Sequence, residues 1–276
     1  MFVPFKIAKS DIERIRGYYD FVSLPDIGAM GEEFYDGIIA QCTREDGKID
    51  GSNLQSMNFP FDRPNYDVFI SHSHDDEDCA LFLYSWLTEY CGLSCFIDEV
   101  LWHSADSLLR QIDQEYCKSA TPGMIDYEKS LYSSSHVHTM LGMSMLDAVN
   151  RSECCLFVSS DNSTSLEDGI NAGTLSPWIY QEVQYINHIR PAIPPRLRER
   201  AVRLFSARVR DSILCESENV EQQQLKVEYA VDLSDFTSIS WPDVRDMRGK
   251  GEAGLDELYR KYLLRKKPPR FVQKMW

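Results

Sequence analysis

The stretch YDVFISHSHDDEDCALFLYSWLTEYCG, residues 66–92, decides the fold. Its first eight residues are a short run rich in β-branched and aromatic side chains, which predicts a strand. The remainder is amphipathic and predicts a helix that Gly92 ends. Working outward, the pattern repeats. LSCFIDEV (93–100) reads as a strand and SADSLLRQIDQEYC (104–117) as a helix. HVHTMLGMSMLDAVNRS (136–152) reads as a helix leading into the strand ECCLFVSS (153–160). LKVEYAVDLSDF (225–236) alternates at Val227, Tyr229 and Val231 and reads as a late strand, and LDELYRKYLL (255–264) as a closing helix. Strands alternating with helices imply right-handed crossovers and a parallel sheet with helices on both faces. Ligands in such sheets bind beyond the carboxyl ends of the strands, so chemistry is expected after Ile70, Ile97 and Val158.

Residues 1–64 differ from this pattern. SDIERIRGYYDFV and EEFYDGIIAQC suit two short helices, and a turn-rich segment follows, so an N-terminal helical extension or cap is expected. DGKIDG (46–51) resembles a calcium loop. With Gly47 at the glycine position, however, Cys42, Arg44 and Asn53 occupy positions that need oxygen ligands and a glutamate, which excludes an EF-hand. The division expected is 1–64 as extension, 65–250 as the α/β domain and 251–276 as a C-terminal helix with a basic tail. Lys118 to Ser135 reads as an irregular insertion.

The 276 residues carry a net charge of −14, which disfavours nucleic acid and anionic membrane surfaces as partners. The apolar runs are too short to span a bilayer, and MFVPFKIAKSDIERI lacks the apolar core of a signal peptide, so a cytoplasmic protein is expected. The eight cysteines include no CxxC pair and are read as reduced structural thiols. Cys154 and Cys155, adjacent on a strand, are expected on opposite faces. The basic tail reads as a solvated helix end.

FISHSHDDED carries neither GxGxxG nor GK[ST], which removes the dinucleotide and P-loop readings. Asp75, Asp76, Glu77 and Asp78 instead complement the positive end of the helix dipole. His72 and His74, and likewise His136 and His138, show i, i+2 spacing with no third ligand evident, so no metal is assigned. Ser71, His72 and Asp98 lack the nucleophile elbow of a serine hydrolase.

SPWIYQEVQYINHIR (176–190) carries the sharper signal. Ser176 is a good N-cap and Pro177 suits the first helical position. Trp178, Ile179, Val183, Tyr185, Ile186 and Ile189 share one side of this helix, and Glu182 lies in the middle of that apolar side. Burying a carboxylate is costly unless it is paired or has work to do. Trp178, one turn earlier, adds an indole beside it.

In order and spacing, YDVFISHSHDDED, FIDEVLWHSADSLLRQI, ECCLFVSSDNS and SPWIYQE resemble the bacterial Toll/interleukin-1 receptor (TIR) domains over roughly Tyr66 to Phe236. The resemblance implies a flavodoxin-like sheet and cleavage of NAD+ at its nicotinamide–ribose bond, with NAD+ as substrate and no cofactor. Glu182 matches the catalytic glutamate of the W-x-x-x-E helix. Ser71, His72 and Ser73 match the first loop, and Asp98, Trp102 and Asp106 the second strand end and BB loop. Trp178 would shape the substrate pocket. The BB loop carries Ala105 where the family often has glycine, and the Lys118–Ser135 insertion exceeds the basic pattern. The resemblance further implies self-association through this domain, Trp102 being a candidate docking residue. It also implies a role in antiphage defence, in which an effector protein responds to a linear or cyclic ADP-ribose-type product. The alternatives are a non-enzymatic TIR adaptor, which has no need of Glu182, and a nucleoside N-glycosidase or deoxyribosyltransferase acting on a smaller substrate.

Overall fold

The computed structural model describes residues 1–19, 22–23, 25, 37–121, 123–166, 171–197 and 227–262. In chain order these form β1 (Val3–Ala8), α1 (Lys9–Arg16), α2 (Ile38–Cys42), α3 (Gly51–Asn58), β2 (Tyr66–Ser71), α4 (Glu77–Ser85) and β3 (Cys95–Ile97). There follow α5 (Glu99–Tyr116), α6 (Tyr127–Arg151), β4 (Ser152–Ser159), β5 (Ser165–Leu166), β6 (Asn171–Thr174), α7 (Pro177–His188), β7 (Tyr229–Asp232), β8 (Thr237–Ile239), α8 (Trp241–Arg245) and α9 (Glu252–Tyr262).

Five strands form one parallel sheet in the order β3-β2-β4-β1-β8, an α/β arrangement of flavodoxin-like type. Strand periodicity sorts the side chains into two apolar layers. Val68, Ile70, Cys154, Leu156 and Val158 pack with α1, α4 and α9 on one face. Phe69, Cys155 and Phe157 pack with α2, α3, α5, α6 and α7 on the other. The two adjacent cysteines therefore part to opposite faces, as expected. The seven described cysteines are all buried and free; Cys215 lies outside the described residues. Among the described residues no helix is long and apolar enough to cross a membrane.

The N-terminal segment is not a separate extension. β1 lies inside the sheet, pairing Val3–Ala8 with Cys154–Ser159 on one side and Phe5–Ile7 with Thr237–Ile239 on the other. Pro4 argues against an interior strand, since it cannot donate to a ladder. It is accommodated because pairing with β8 begins only at Phe5. α2 and α3 thicken the second layer through Ile38, Ile39, Cys42 and Leu54. α9 is likewise no appendage, because Leu255, Leu258 and Tyr259 are buried against Phe2 and Phe5 in the first layer. The basic tail lies outside the described residues from 263 onward.

Other boundaries shift. α4 runs on through a π-helical turn at Trp86–Tyr90 before Gly92 adopts φ +73° and ends it. The Lys118–Ser135 segment is irregular only as far as Asp126, whose side chain caps α6 by accepting from Lys129 N at 3.2 Å. Serines in its first turns have a low helix propensity. Their hydroxyls bond back to the helix, Ser133 to the Lys129 carbonyl at 3.1 Å and Ser135 to that of Tyr132 at 2.7 Å. The alternating run near Val231 does form a strand, β7. It pairs antiparallel with β6 in a separate three-stranded sheet beside α7, and β8 takes the fifth place in the main sheet.

Candidate functional site

At the carboxyl ends of β2 and β3, the loop after β2 and the helices α5, α6 and α7 enclose a cleft of about 600 Å³. A larger cavity of about 880 Å³ runs along the edge strand β3, but it contains none of the carboxylates discussed here. Helix α7 begins as its sequence requires, with the Ser176 side chain accepting from Ile179 N at 3.3 Å and Pro177 in the first turn. Its register turns Trp178, Ile179 and Glu182 into the cleft, and Glu182 is only 1 % exposed.

Glu182 is held from the sheet. The Ser71 hydroxyl, at the last residue of β2, donates to Glu182 Oε2. Burial pushes the Glu182 carboxyl well above the usual carboxylate range. The negative charge of Asp98 pushes it further, and the Ser71 hydroxyl pulls only partly back. Among the described residues no lysine or arginine acts on it. Asp98 follows β3 and is itself 1 % exposed. It accepts from the His72 backbone N–H at 3.2 Å, and its other oxygen lies 2.6 Å from His72 Nδ1. His72 is buried, and the neighbouring Asp98 and Glu99 raise its pKa against the opposing effect of burial.

The sequence-derived set is therefore largely assembled. His72, Asp98, Trp102, Asp106, Trp178 and Glu182 line the cleft, with Ser71 beneath it. Ser73 is not brought to it; its carbonyl instead accepts from Asp76 N at 2.7 Å and starts the turn into α4. The segment expected as a BB loop is helical. α5 begins at Glu99, so Asp98, Trp102 and Asp106 stand at a helix start and one face of its first turns, not on a loop. Trp102 is half-buried against Trp178 of its own chain, ring centroids 4.1 Å apart and edge-on, and is not free as a docking residue. His138 closes the other side of Trp178 at 5.3 Å.

Glu99, His103, Arg110 and His138 line the cleft unanticipated. The α5 members were findable from helical spacing, since residues 99, 103, 106 and 110 recur on the face of Trp102. The sequence offered no third ligand beside His72 and His74; the fold brings Glu77 and Glu99 to His74.

Trp178→Ala removes an edge-on aromatic pair and a half-buried wall of the cleft. We expect a stability loss of about 1.5 kcal/mol, below that of a fully buried tryptophan, together with reduced turnover. Unchanged melting and unchanged turnover in this variant would assign Trp178 no part in either.

Comparison of the chain with protein-family models, curated proteins and solved structures finds no match.

Proposed function

We propose that this chain is a TIR-type NAD+ nucleosidase that cleaves the nicotinamide–ribose bond. The observation that carries the reading is Glu182, a buried carboxylate with no cationic partner among the described residues, facing a cleft beside Trp178. An adaptor has no use for such a group, and keeping it ionised in the fold is costly.

The chemistry suits a single carboxylate. Nicotinamide leaves as a neutral base from a cationic ring, so no general acid is required. The barrier falls when the oxocarbenium-like ribose is stabilised, and in this reading Glu182, which lines the cleft, supplies that through its charge and its hydrogen bonds to ribose hydroxyls. The positive nicotinamide ring entering the cleft itself favours ionised Glu182. Trp102, Trp178 and His138 form a wall that limits water around the reacting carbon. Water as acceptor gives ADP-ribose, and a hydroxyl or adenine nitrogen of the same molecule gives a cyclic product.

A signalling role in antiphage defence is proposed on the resemblance alone, and cytoplasmic location on the character of the sequence, with the free buried cysteines in support. Self-association is proposed too, and its support is physical. Tyr127, Leu131 and Tyr132 on the first turns of α6 are 78 %, 61 % and 69 % exposed, a cluster of large side chains that a second copy could cover. Incubating the purified protein with NAD+ and resolving the products by chromatography tests the activity. Release of nicotinamide supports it, and intact NAD+ at every protein concentration tried would overturn it. Release of a base from nucleosides but not from NAD+ would favour the smaller-substrate alternative.

A further inference from the structure

We propose that His72, His74, Glu77 and Glu99 form a binding site for a divalent first-row transition metal. Two imidazoles and two carboxylates match zinc best. The inference does not depend on the NAD+ reading.

The four residues come from three parts of the chain. His72 and His74 lie on the loop after β2, Glu77 opens α4, and Glu99 opens α5. His74, Glu77 and Glu99 each offer a ligand atom within 4.8 Å of the others. His74 Nδ1 lies 3.4 Å from Glu99 Oε1, and His72 Nε2 lies 3.6 Å from Glu99 Oε2. Those separations are long for hydrogen bonds. Each is close to the roughly 3.4 Å between two ligands of a tetrahedral zinc. The imidazoles approach different oxygens of Glu99, and His72 stands outside the mutual 4.8 Å group of His74, Glu77 and Glu99, so it must close in on the ion to complete the set.

His72 gives the independent sign. Its side chain is wholly buried, yet neither ring nitrogen makes a hydrogen bond of good geometry, and Nε2 faces Glu99. Buried polar atoms are seldom left this way. On the far side of the ring, Nδ1 lies 2.6 Å from Asp98 Oδ1. A carboxylate behind the ring is the usual support of a metal-binding histidine. In a loaded site such a carboxylate keeps the proton on Nδ1 and leaves the Nε2 lone pair directed at the ion; here the 2.6 Å approach is in place without hydrogen-bond alignment. A metal there would tie the loop after β2 to the start of α5, fixing one wall of the cleft. The competing arrangement is a protonated His72 that serves as counter-ion to the carboxylates around it.

The test uses the full chain without an affinity tag, stripped with a chelator, dialysed and titrated with zinc chloride by calorimetry. Melting is followed in parallel. We expect one zinc per chain and a higher melting temperature with zinc. His74→Ala and Glu77→Gln should each weaken binding by at least about 10-fold, the lower end of what disturbing a metal's surroundings costs. Both substitutions spare the apolar layers, and the His74 side chain is 81 % exposed, so the metal-free variants should melt like the metal-free parent. Cobalt(II), used as a second probe, should give the intense visible absorption of a four-coordinate site. Absence of saturable zinc binding by the parent chain would overturn the proposal in favour of the protonated His72. So would an affinity left unchanged by both variants, which would put the ion elsewhere.

Discussion

Glu182→Gln is expected to reduce NAD+ cleavage by at least about 100-fold while melting no lower than the parent protein. The loss of activity follows from removing the one charge aimed at the reacting ribose, a kind of change that typically costs two to three orders of magnitude. The melting behaviour follows from the raised pKa. Folded Glu182 holds its proton where the unfolded chain, titrating near 4.3, has already released it. Parent and variant should therefore melt alike below that pH. As pH rises from there toward the folded pKa, the parent loses stability by up to about 1.4 kcal/mol per pH unit, and the non-titrating glutamine does not. The gap opens with increasing pH and levels off once Glu182 is ionised in the fold. In the same window the parent's turnover should rise. Thermal melts and NAD+ turnover measured across a pH series check both halves. A Gln variant with parental turnover would remove Glu182 from the chemistry, and a gap that closes as pH rises would contradict its buried, proton-holding state.

Asp76→Ala should destabilise the fold by about 3 kcal/mol, lowering the melting temperature by roughly 6–12 °C. Asp76 is 1 % exposed and joins the ends of three neighbouring strands. It accepts from Lys9 Nζ, just past β1, at 2.8 Å and from Asn162 Nδ2, past β4, at 2.8 Å. Ser160 Oγ donates to it as well. Burial alone would raise its pKa; the Lys9 ammonium, the Ser160 hydroxyl and the Asn162 amide more than offset this and hold it below the usual carboxylate range. With a depressed pKa, its stabilisation is complete at neutral pH and fades as pH falls through the folded value. The gap between parent and alanine variant should therefore narrow in acid. Chemical denaturation at pH 7 and again near pH 3 measures it. A loss under about 1 kcal/mol at neutral pH would reduce Asp76 to an ordinary surface partner.

How much of this could be read from the chain depends on the range of the interactions involved. Ser176 and Pro177 announce α7, and a period of 3.6 residues puts Glu182 on its apolar side; both signals are local, and both hold. The bond from Ser71 to Glu182 joins residues 111 positions apart, and nothing in either segment encodes it. Ala105, Leu108 and Ile112, all buried, carry the helical spacing read over 104–117, and Leu101 extends it one turn earlier, into the segment where the resemblance implies a loop. At β1 the error was physical: Pro4 and Lys6 disguise a strand whose neighbours lie far along the chain. At α6 the serines carry a low helix propensity that packing of Val137, Leu141 and Met145 overrides.

The placement of β1 has a consequence for biosynthesis. Its partners are Cys154–Ser159 and Thr237–Ile239, so this strand must wait for segments synthesised well over a hundred residues later. At about 5–20 residues per second, roughly 11–46 seconds separate Ala8 from Thr237 at the ribosome. Until β4 is made FVPFKIA is an apolar run without a ladder, and until β8 is made one edge of it stays open, the kind of segment that pairs with whatever strand it meets. Pro4 and Lys6 interrupt it at alternate positions, one lacking a donor and the other carrying a charge. The two residues that hide this strand from a reader of the sequence also make it a poor template for other nascent chains.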